Sequence, residues 1–532
     1  MRKISPLIII SLLLFFLLTS IAYASVVTGD KQNFDLQYKV EYKNNGTKPI
    51  GLEIRFPIVE NKTPHQIVTK MDIYPKPSAM NLNENCKFVV FKWKEIAPDK
   101  SVKFGYNARI ACKRVLYNVD ANKVTDYVPD KYKKYLNSNN RMPAKNPVVK
   151  KLARSIISGE SRSYYRVLKF YDFVRKLKFK IKEKPGKVLE VIRTRICQCS
   201  DATDLFITLC RSIGIPARYV GGFYLKTTDQ STPDTHAWAE VYFHPYGWVP
   251  VDPTMGRFDD YTGFTRFSEI EAPYIILWKN SSNPFKAKLI DSKQKISRSD
   301  FKVSIKYKAH VSKSSLPLKK SYPALSLNLK RKKTPRLLSH NSKARNAYLR
   351  ANRQYENGDF TGAEESARKA VRIDPPFAIA YRKLIQIYEK KNQLKALRKE
   401  LSSKKNLKSS KGAVYYALGV IDTLIGNYSF AEKEFTLAKK KGMPSFLIAH
   451  NKGILYTNCK QVPKSAKYFD KSLMDNPNGL PTYRSFFKLL DFLNDYSTKA
   501  TVCKKALKIK IHPSSFFRNE LNKAYKKMKK SP

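Results

Sequence analysis

The sequence has few acidic residues for its length. Its 532 residues include 43 Asp and Glu against 101 Lys and Arg, which leaves a formal net charge of +58. A charge of this sign and size predicts attraction to polyanions, although it carries no information about the fold. Hydrophobic residues make up 42% of the chain and aromatic residues 12%. This content excludes intrinsic disorder of the whole protein, and the length predicts about three domains.

Cysteine is also scarce. The chain has 7 cysteines, and they are scattered along its length, which excludes a small disulfide-stabilised scaffold. Because the number is odd, at least one thiol stays free. Cys86 and Cys112 fall in strand-like segments of the same region, where they could form a disulfide or remain two separate buried thiols.

Long hydrophobic runs are absent after residue 24. Before it, Arg2 and Lys3 precede an apolar stretch at residues 7–18, and Ala22-Tyr23-Ala24 follows. This pattern predicts a secretory signal peptide at residues 1–24, with an uncleaved membrane anchor as the weaker alternative because the stretch is short. We therefore expect an exported protein that is periplasmic, extracellular or associated with the cell envelope. Export excludes nucleic acid as the expected partner and favours an anionic envelope surface.

Alternating hydrophobic residues follow the predicted cleavage site. One run extends from Phe34 to Tyr42 and another from Ile50 to Phe56, with a polar turn at residues 44–47 between them. A period of two predicts strands with one buried face. Further runs of this kind predict a β-sandwich at residues 25–125.

Basic residues dominate a later segment. Residues 301–345 contain 13 Lys or Arg and no Asp or Glu. We predict a basic linker at residues 285–342. It would be either a solvated connector or an electrostatic contact with an anionic surface.

Helical segments recur at a spacing of about 34 residues between residues 343 and 530. Two units carry small and aromatic residues at matching positions. They are Ala351, Gly358, Phe360, Ala363 and Ala370 in the first unit, and Gly419, Gly426, Tyr428, Ala431, Phe435 and Ala438 in the second. These residues resemble tetratricopeptide repeats. The resemblance implies an all-α array with a concave groove for a protein or peptide, and a purely structural stack is the alternative.

A thiol, an imidazole and a carboxylate follow one another in the middle of the chain, in an order that indicates a cysteine-dependent catalytic site. Cys199 opens a predicted helix that Ser200 or Asp201 can cap, and a helix N-terminus stabilises a thiolate. His236 begins one predicted strand and Asp252 ends the next, so a hairpin would bring them together at its open end. These three groups are the ones that thiol acyl transfer needs.

The flanking motifs carry a family resemblance. The stretches LCRSIGIPAR at residues 209–218, HAWAEVY at 236–242 and GWVPVDPT at 247–254 resemble the transglutaminase core of the papain-like superfamily. The resemblance covers residues 145–275 and implies an α+β cysteine fold. It also implies that Cys199 is the nucleophile, His236 the general base and acid, and Asp252 the orienting carboxylate.

Cys197 departs from the family pattern, which usually has glycine at this position. It is either a tolerated small residue or a redox partner that could form a disulfide with Cys199. A zinc site built from Cys197, Cys199 and His236 fails on ligand number, and we expect no metal and no cofactor. Cys210 lies farther along the same helix and is predicted to be a core residue.

The sequence as a whole predicts a multidomain exported enzyme: an N-terminal β-sandwich, an α+β transglutaminase-like core and a C-terminal helical array. We expect a cysteine acyl-transfer enzyme that cleaves or cross-links amide bonds of protein or peptide substrates through a thioester. A protein partner would occupy the groove of the array. The alternatives are a catalytically silent scaffold or assembly protein of the cell envelope, and a cationic binder whose function is its charge.

Overall fold

The structure is a computed structural model, and it divides into two units. The first unit comprises Met1–Ile156 and Phe170–Ser321, and the second comprises Ile157–Lys169 and Tyr322–Pro532. The predicted signal peptide at residues 1–24 and Cys86 lie outside the residues that the structure describes. Those residues are 25–82, 87–181, 185–225, 232–255, 267–280, 285–290, 301–311, 329–330, 332, 338–403, 412–493 and 495–530. Within these ranges, no helix combines the length and the hydropathy needed to cross a bilayer.

Strands dominate the first part of the chain. They are β1 (Ser25–Asn44), β2 (Ile50–Pro57), β3 (Gln66–Tyr74), β4 (Ala79–Asn81), β5 (Phe88–Ile96), β6 (Ser101–Asn118), β7 (Lys178–Phe179), β8 (Ile196–Cys197), β9 (Ala217–Tyr224), β10 (Asp234–Phe243), β11 (Gly247–Val251), β12 (Glu269–Ile270), β13 (Tyr274–Lys279), β14 (Lys286–Ile290) and β15 (Phe301–Val311). The helices in this part are α1 (Asp130–Lys133), α2 (Pro147–Ile157), α3 (Ser163–Val174), α4 (Val188–Thr194) and α5 (Cys199–Ser212).

Two sheets pack face to face at the start of the first unit. Strands β12, β6, β1 and β15 form one sheet, with β3 also paired to β6, and β14, β2, β5 and β4 form the other. Phe34 and Leu36 of β1 share one core with Phe56 of β2 and Phe91 of β5. Because alternate residues of a strand point to opposite faces, the alternation seen in the sequence buries one face of each sheet. The predicted N-terminal β-sandwich is therefore confirmed.

The prediction of a basic linker at residues 285–342 is wrong in two places. Lys286–Ile290 pairs with β2, and Phe301–Val311 pairs with β1 along its whole length. In the second segment the lysines alternate with apolar residues, of which Ala309 is buried and Tyr307 packs against the sandwich core. The many lysines of this segment obscured the alternation of apolar residues that is typical of a strand. The sandwich is thus completed by strands that follow the central part of the chain.

A separate sheet carries the central part of the first unit. Its strand order is β11, β10, β9 and β13, and all neighbouring strands are antiparallel. Helix α5 buries Leu205, Phe206 and Leu209. The side chain of Thr203 on this helix hydrogen-bonds to Ala237 O of β10 at 3.1 Å. This combination of a helix with an antiparallel sheet is the predicted α+β core.

The second unit consists mainly of helices. They are α6 (Ser342–Glu356), α7 (Phe360–Ile373), α8 (Ala378–Lys390), α9 (Leu394–Leu401), α10 (Gly412–Leu424), α11 (Tyr428–Lys440), α12 (Ser445–Asn458), α13 (Val462–Asp475), α14 (Leu480–Phe492), α15 (Tyr496–Lys508) and α16 (Ser514–Lys530). A Cβ atom on Gly419 of α10 would lie 2.7 Å from the ring of Phe435 of α11, and one on Gly453 of α12 would lie 2.5 Å from the ring of Phe469 of α13. Small residues therefore let the helices of a pair approach closely, as the repeat pattern predicts.

Residues 157–169 also belong to the second unit. The hydroxyl of Tyr165 donates to Glu432 Oε1 at 3.1 Å, and the hydroxyl of Tyr164 donates to Cys459 O at 3.0 Å. Both tyrosines are fully buried. The helical unit thus includes a segment that lies far from its other helices in the sequence.

Candidate active site

Cys199 is the first residue of helix α5. The residue before it, Gln198, is the N-cap, and Asp201 at the third helical position completes a capping box with it, so Asp201 takes part in capping as predicted and Ser200 is not the N-cap. The Asp201 carboxylate accepts hydrogen bonds from the N–H groups of Gln198 at 3.2 Å and Gly186 at 2.8 Å. These bonds order the chain that leads into the helix. The Cys199 side chain is half-buried, so it is held in place and still accessible.

The hairpin of β10 and β11 brings His236 and Asp252 together. The two strands pair from Ala239↔Val251 to Phe243↔Gly247, and Asp252 follows β11 directly. His236 Nε2 lies 2.7 Å from Asp252 Oδ2. The other carboxylate oxygen accepts hydrogen bonds from the backbone N–H groups of Thr254 at 2.9 Å and Met255 at 3.0 Å.

The electrostatics of His236 link all three predicted residues. Burial opposes the charged imidazolium, but the negative charge of Asp252 and its hydrogen bond, followed by a hydrogen bond with Cys199, outweigh burial. Together they raise the pKa of His236 to about 10. His236 is therefore an imidazolium at neutral pH. A positive charge of this kind beside a thiol is the arrangement that stabilises a thiolate nucleophile.

Aromatic rings enclose the imidazole. Trp238 stacks on His236 with ring centroids 6.0 Å apart and an interplanar angle of 22°, and the Tyr274 ring lies 5.9 Å away. Trp238 is itself buried and contacts the site. Such walls limit the access of water to the groups they surround.

A pair of glycines makes room for these rings. Gly222 of β9 pairs directly with His236 of β10. A Cβ atom on Gly222 would lie 2.0 Å from Ile275 O and 2.9 Å from the Trp238 ring, and one on Gly221 would overlap the Trp278 ring. The close approach of neighbouring strands and rings therefore requires glycine. Sequence reasoning missed this role, for which the Gly-Gly pair inside an apolar strand was the available signal.

A buried ion cluster lies farther along the same sheet. Glu240 is bonded to Arg218 Nη2 at 2.6 Å and to Lys279 Nζ at 2.7 Å. Burial raises the pKa of Glu240, but these two cations outweigh it and lower the pKa to about 2. The guanidinium of Arg218 also lies 4.1 Å from the centroid of the Trp248 ring. The cluster links β9, β10 and β13, and sequence reasoning did not identify it.

The other described cysteines are all buried. Cys197 and Cys210 are buried and form no disulfide, and burial raises the pKa of Cys210. Cys112 is also free and buried, with its Sγ 3.7 Å from Gln66 Oε1. This favours the separate-thiol alternative for Cys112. In the described part of the chain, no group of three or more His, Cys, Asp or Glu side chains could hold a metal ion.

Comparison with known protein families identifies the central domain. Residues 150–253 match the model of the transglutaminase-like superfamily. Cys199, His236 and Asp252 all lie inside the matched range. The chain therefore contains a transglutaminase-like domain between a strand-rich N-terminal region and a C-terminal run of helices.

Individual proteins match more weakly. Among curated proteins, the uncharacterized protein YebA of Bacillus subtilis (strain 168) is 32% identical over 77 residues, which cover 12% of this chain and 10% of the relative. The chain thus spans only a tenth of the length of that relative.

Among solved structures, a candidate cysteine protease from Cytophaga hutchinsonii has 16% identity and a TM-score of 0.40, covering 55% of this chain and 94% of its own. A tetratricopeptide repeat protein from Parabacteroides merdae has 16% identity and a TM-score of 0.24, covering 36% of this chain and 75% of its own.

Proposed function

We propose that this protein is an exported cysteine acyl-transfer enzyme that acts on amide bonds of protein or peptide substrates. The observation that carries the proposal is the site itself: Cys199 at a helix N-terminus, electrostatically coupled to the His236 imidazole, which lies 2.7 Å from Asp252. The transglutaminase-like domain supports a cysteine-dependent enzyme in general. That the enzyme acts on amide bonds, and that water or an amine accepts the acyl group, is our proposal.

The first half of the reaction forms a thioester. The Cys199 thiolate attacks the amide carbonyl carbon, and the oxygen takes up the electron pair of the C=O bond. The free N–H groups of a helix N-terminus are suited to stabilise this oxyanion. When the C–N bond breaks, His236 gives its proton to the leaving amine and becomes neutral. Asp252 stays ionised and holds the ring in place.

The second half releases the acyl group. The neutral imidazole of His236 takes a proton from water or from a second amine, which attacks the thioester carbon. The C–S bond breaks, and Cys199 leaves as a thiolate beside the regenerated imidazolium. Water as acceptor gives a peptidase or amidase, and an amine gives a cross-linking enzyme.

The helical unit is proposed to bind a protein or peptide partner. A cavity lies between α8, α10 and α12, with Ile385, Val420 and Ile454 among its apolar lining residues. Arg382 and Asn451 also line it, joined by a hydrogen bond of 3.0 Å. A Val420→Glu variant is expected to lose partners that the wild type retains in a cross-linking experiment on envelope extracts. Equal recovery by both proteins would count against this binding site.

Mass spectrometry tests the catalytic proposal. Envelope material is incubated with the wild type and with Cys199→Ala, and new isopeptide links and new cleavage ends are compared. We expect products only with the wild type. The same products in both samples would reject the enzyme, and no products in either would favour the scaffold alternative. N-terminal sequencing of exported protein tests the location, with Ser25 expected as the first residue.

A further inference from the structure

The carboxylate of Asp252 has a hydrogen-bond donor that comes from outside the hairpin. The hydroxyl of Tyr274 donates to Asp252 Oδ2 at 2.6 Å. The same oxygen faces His236 Nε2 at 2.7 Å. Tyr274 is buried and lies on β13, beyond the residues that match the transglutaminase-like model.

We propose that Tyr274 is a positioning residue of the active site, which shares one carboxylate oxygen of Asp252 with His236 and thereby limits the negative charge that this oxygen presents to the imidazole. The proposal rests on the proposed function in one respect only: Cys199, His236 and Asp252 must act as one site. Tyr274 does not touch the reacting atoms and acts through Asp252.

The position of the Tyr274 hydroxyl is set by packing. Its ring meets the Trp238 ring edge to face at 5.1 Å and the Tyr224 ring at 4.9 Å. Rings packed in this way have few alternative orientations, so the hydroxyl is held toward Asp252.

The N-terminal sandwich fixes the strand that carries Tyr274. His65 Nε2 lies 2.7 Å from Tyr274 O. Gln66 bonds to both backbone groups of Ile276, accepting from its N–H at 2.7 Å and donating to its carbonyl at 2.9 Å. Gln66 is the first residue of β3, and His65 directly precedes it. The sandwich therefore takes part in placing an active-site group and does not merely precede the domain.

The shared oxygen predicts a specific electrostatic effect. A hydroxyl that donates to Oδ2 takes up part of the negative charge that would otherwise act on His236. Asp252 and Cys199 are the groups that raise the pKa of His236, and the rings of Trp238, Tyr224 and Tyr274 pack around it. Removing the Tyr274 hydroxyl is therefore expected to strengthen the bond between Asp252 and the imidazolium.

The test is the pH profile of Cys199 alkylation by iodoacetamide in the full chain, read by mass spectrometry. In Tyr274→Phe, we expect the basic limb, which reports loss of the proton from His236, to move up by about 0.5 to 1 pH unit. Tyr74→Phe is the matched control, because the hydroxyl of Tyr74 is buried without a hydrogen-bond partner among the described residues. Its profile is expected to coincide with that of the wild type. A folded Tyr274→Phe protein with an unshifted profile would overturn the proposal.

A second variant keeps the test decisive if Tyr274→Phe does not fold. Site-specific 3-fluorotyrosine at position 274 retains the hydroxyl and makes it a stronger donor, so the basic limb is expected to move down. No shift would again overturn the proposal. Alkylation needs no substrate, so a lack of turnover with a normal wild-type profile would count against the proposed function and not against the role of Tyr274.

Discussion

The candidate site of the first unit and the helix pairs of the second unit depend on different kinds of contact. In the first unit, the site depends on single polar contacts in buried surroundings, such as the Asp252 carboxylate and the Glu240 ion cluster. In the second unit, the same small-against-aromatic contact recurs, with Gly419 against Phe435 and Gly453 against Phe469. The loss of one polar group at this site therefore removes a function that no other described residue supplies. In the second unit, similar contacts recur from one helix pair to the next, so each contributes only part of the stability.

The largest effect is expected from Cys199. Cys199→Ala removes the nucleophile and should lower acyl-transfer activity by about 10⁴-fold or more, because the other two residues have nothing to activate. The rate of product formation in the mass-spectrometric assay measures this loss. Cys210→Ala is the control on the same helix, since Cys210 is buried in the core. It should lower stability and retain activity, and a comparable loss in both variants would contradict the assignment of Cys199.

A large loss of stability is expected from Glu240→Gln. The substitution leaves Arg218 and Lys279 buried without a carboxylate and should cost about 3–5 kcal/mol in the free energy of unfolding. All 4 tryptophans lie in the first unit, so denaturant unfolding followed by tryptophan fluorescence measures it.

An exposed ion pair supplies the control for Glu240. Asp35 is bonded to Arg109 at 2.9 Å, and both side chains are largely exposed. Asp35→Asn should change stability by less than about 1 kcal/mol. Equal changes in the free energy of unfolding for the two substitutions would show that burial does not determine how much an ion pair stabilises the first unit.

The next largest effect is expected in the pH dependence of stability. The folded state raises the pKa of His236 from its ordinary value of 6.5 to about 10, so the protonated ring stabilises the fold. This contribution is complete below pH 6.5 and is lost as the pH rises toward 10. The tryptophan-monitored unfolding midpoint should fall over this interval. The fall should be smaller in Asp252→Asn, which lacks the charge that holds the proton, and an identical fall would reject that cause.

The smallest effect on the catalytic site is expected from the helical unit. Gly453→Ala forces a methyl group against the Phe469 ring and should cost about 1–3 kcal/mol in the second unit. Hydrogen exchange of α12 and α13 measures the loss, with exposed Lys440→Ala as the control. The tryptophan transition and the alkylation rate of Cys199 should stay close to those of the wild type. A large fall in the alkylation rate would contradict the expectation that a substitution in the second unit leaves the candidate site unaffected.

Local patterns were sufficient to predict much of this architecture. The alternation in β1 predicts the sandwich, and the small and aromatic residues predict the close helix pairs. The order of Cys199, His236 and Asp252 also predicts a hairpin that joins the last two. Each of these signals lies within a short stretch of chain, where spacing alone determines which side chains share a face.

Contacts between distant parts of the chain could not be predicted in this way. Gln66 reaches Ile276 across 210 positions, and nothing near either residue indicates the other. Tyr274 lies in an apolar strand that gives no sign of a polar contact with Asp252. The strand Phe301–Val311 was concealed by its lysines, because charge on one face of an edge strand does not prevent burial of the other.

The proposed mechanism requires that His236 activates Cys199. The rate of Cys199 alkylation at neutral pH in the wild type and in His236→Gln, with labelling located by mass spectrometry, measures this activation. The site geometry predicts that the wild-type thiol reacts at least about tenfold faster, because the imidazolium stabilises the thiolate. Equal, slow labelling of Cys199 in both folded proteins would contradict the claim.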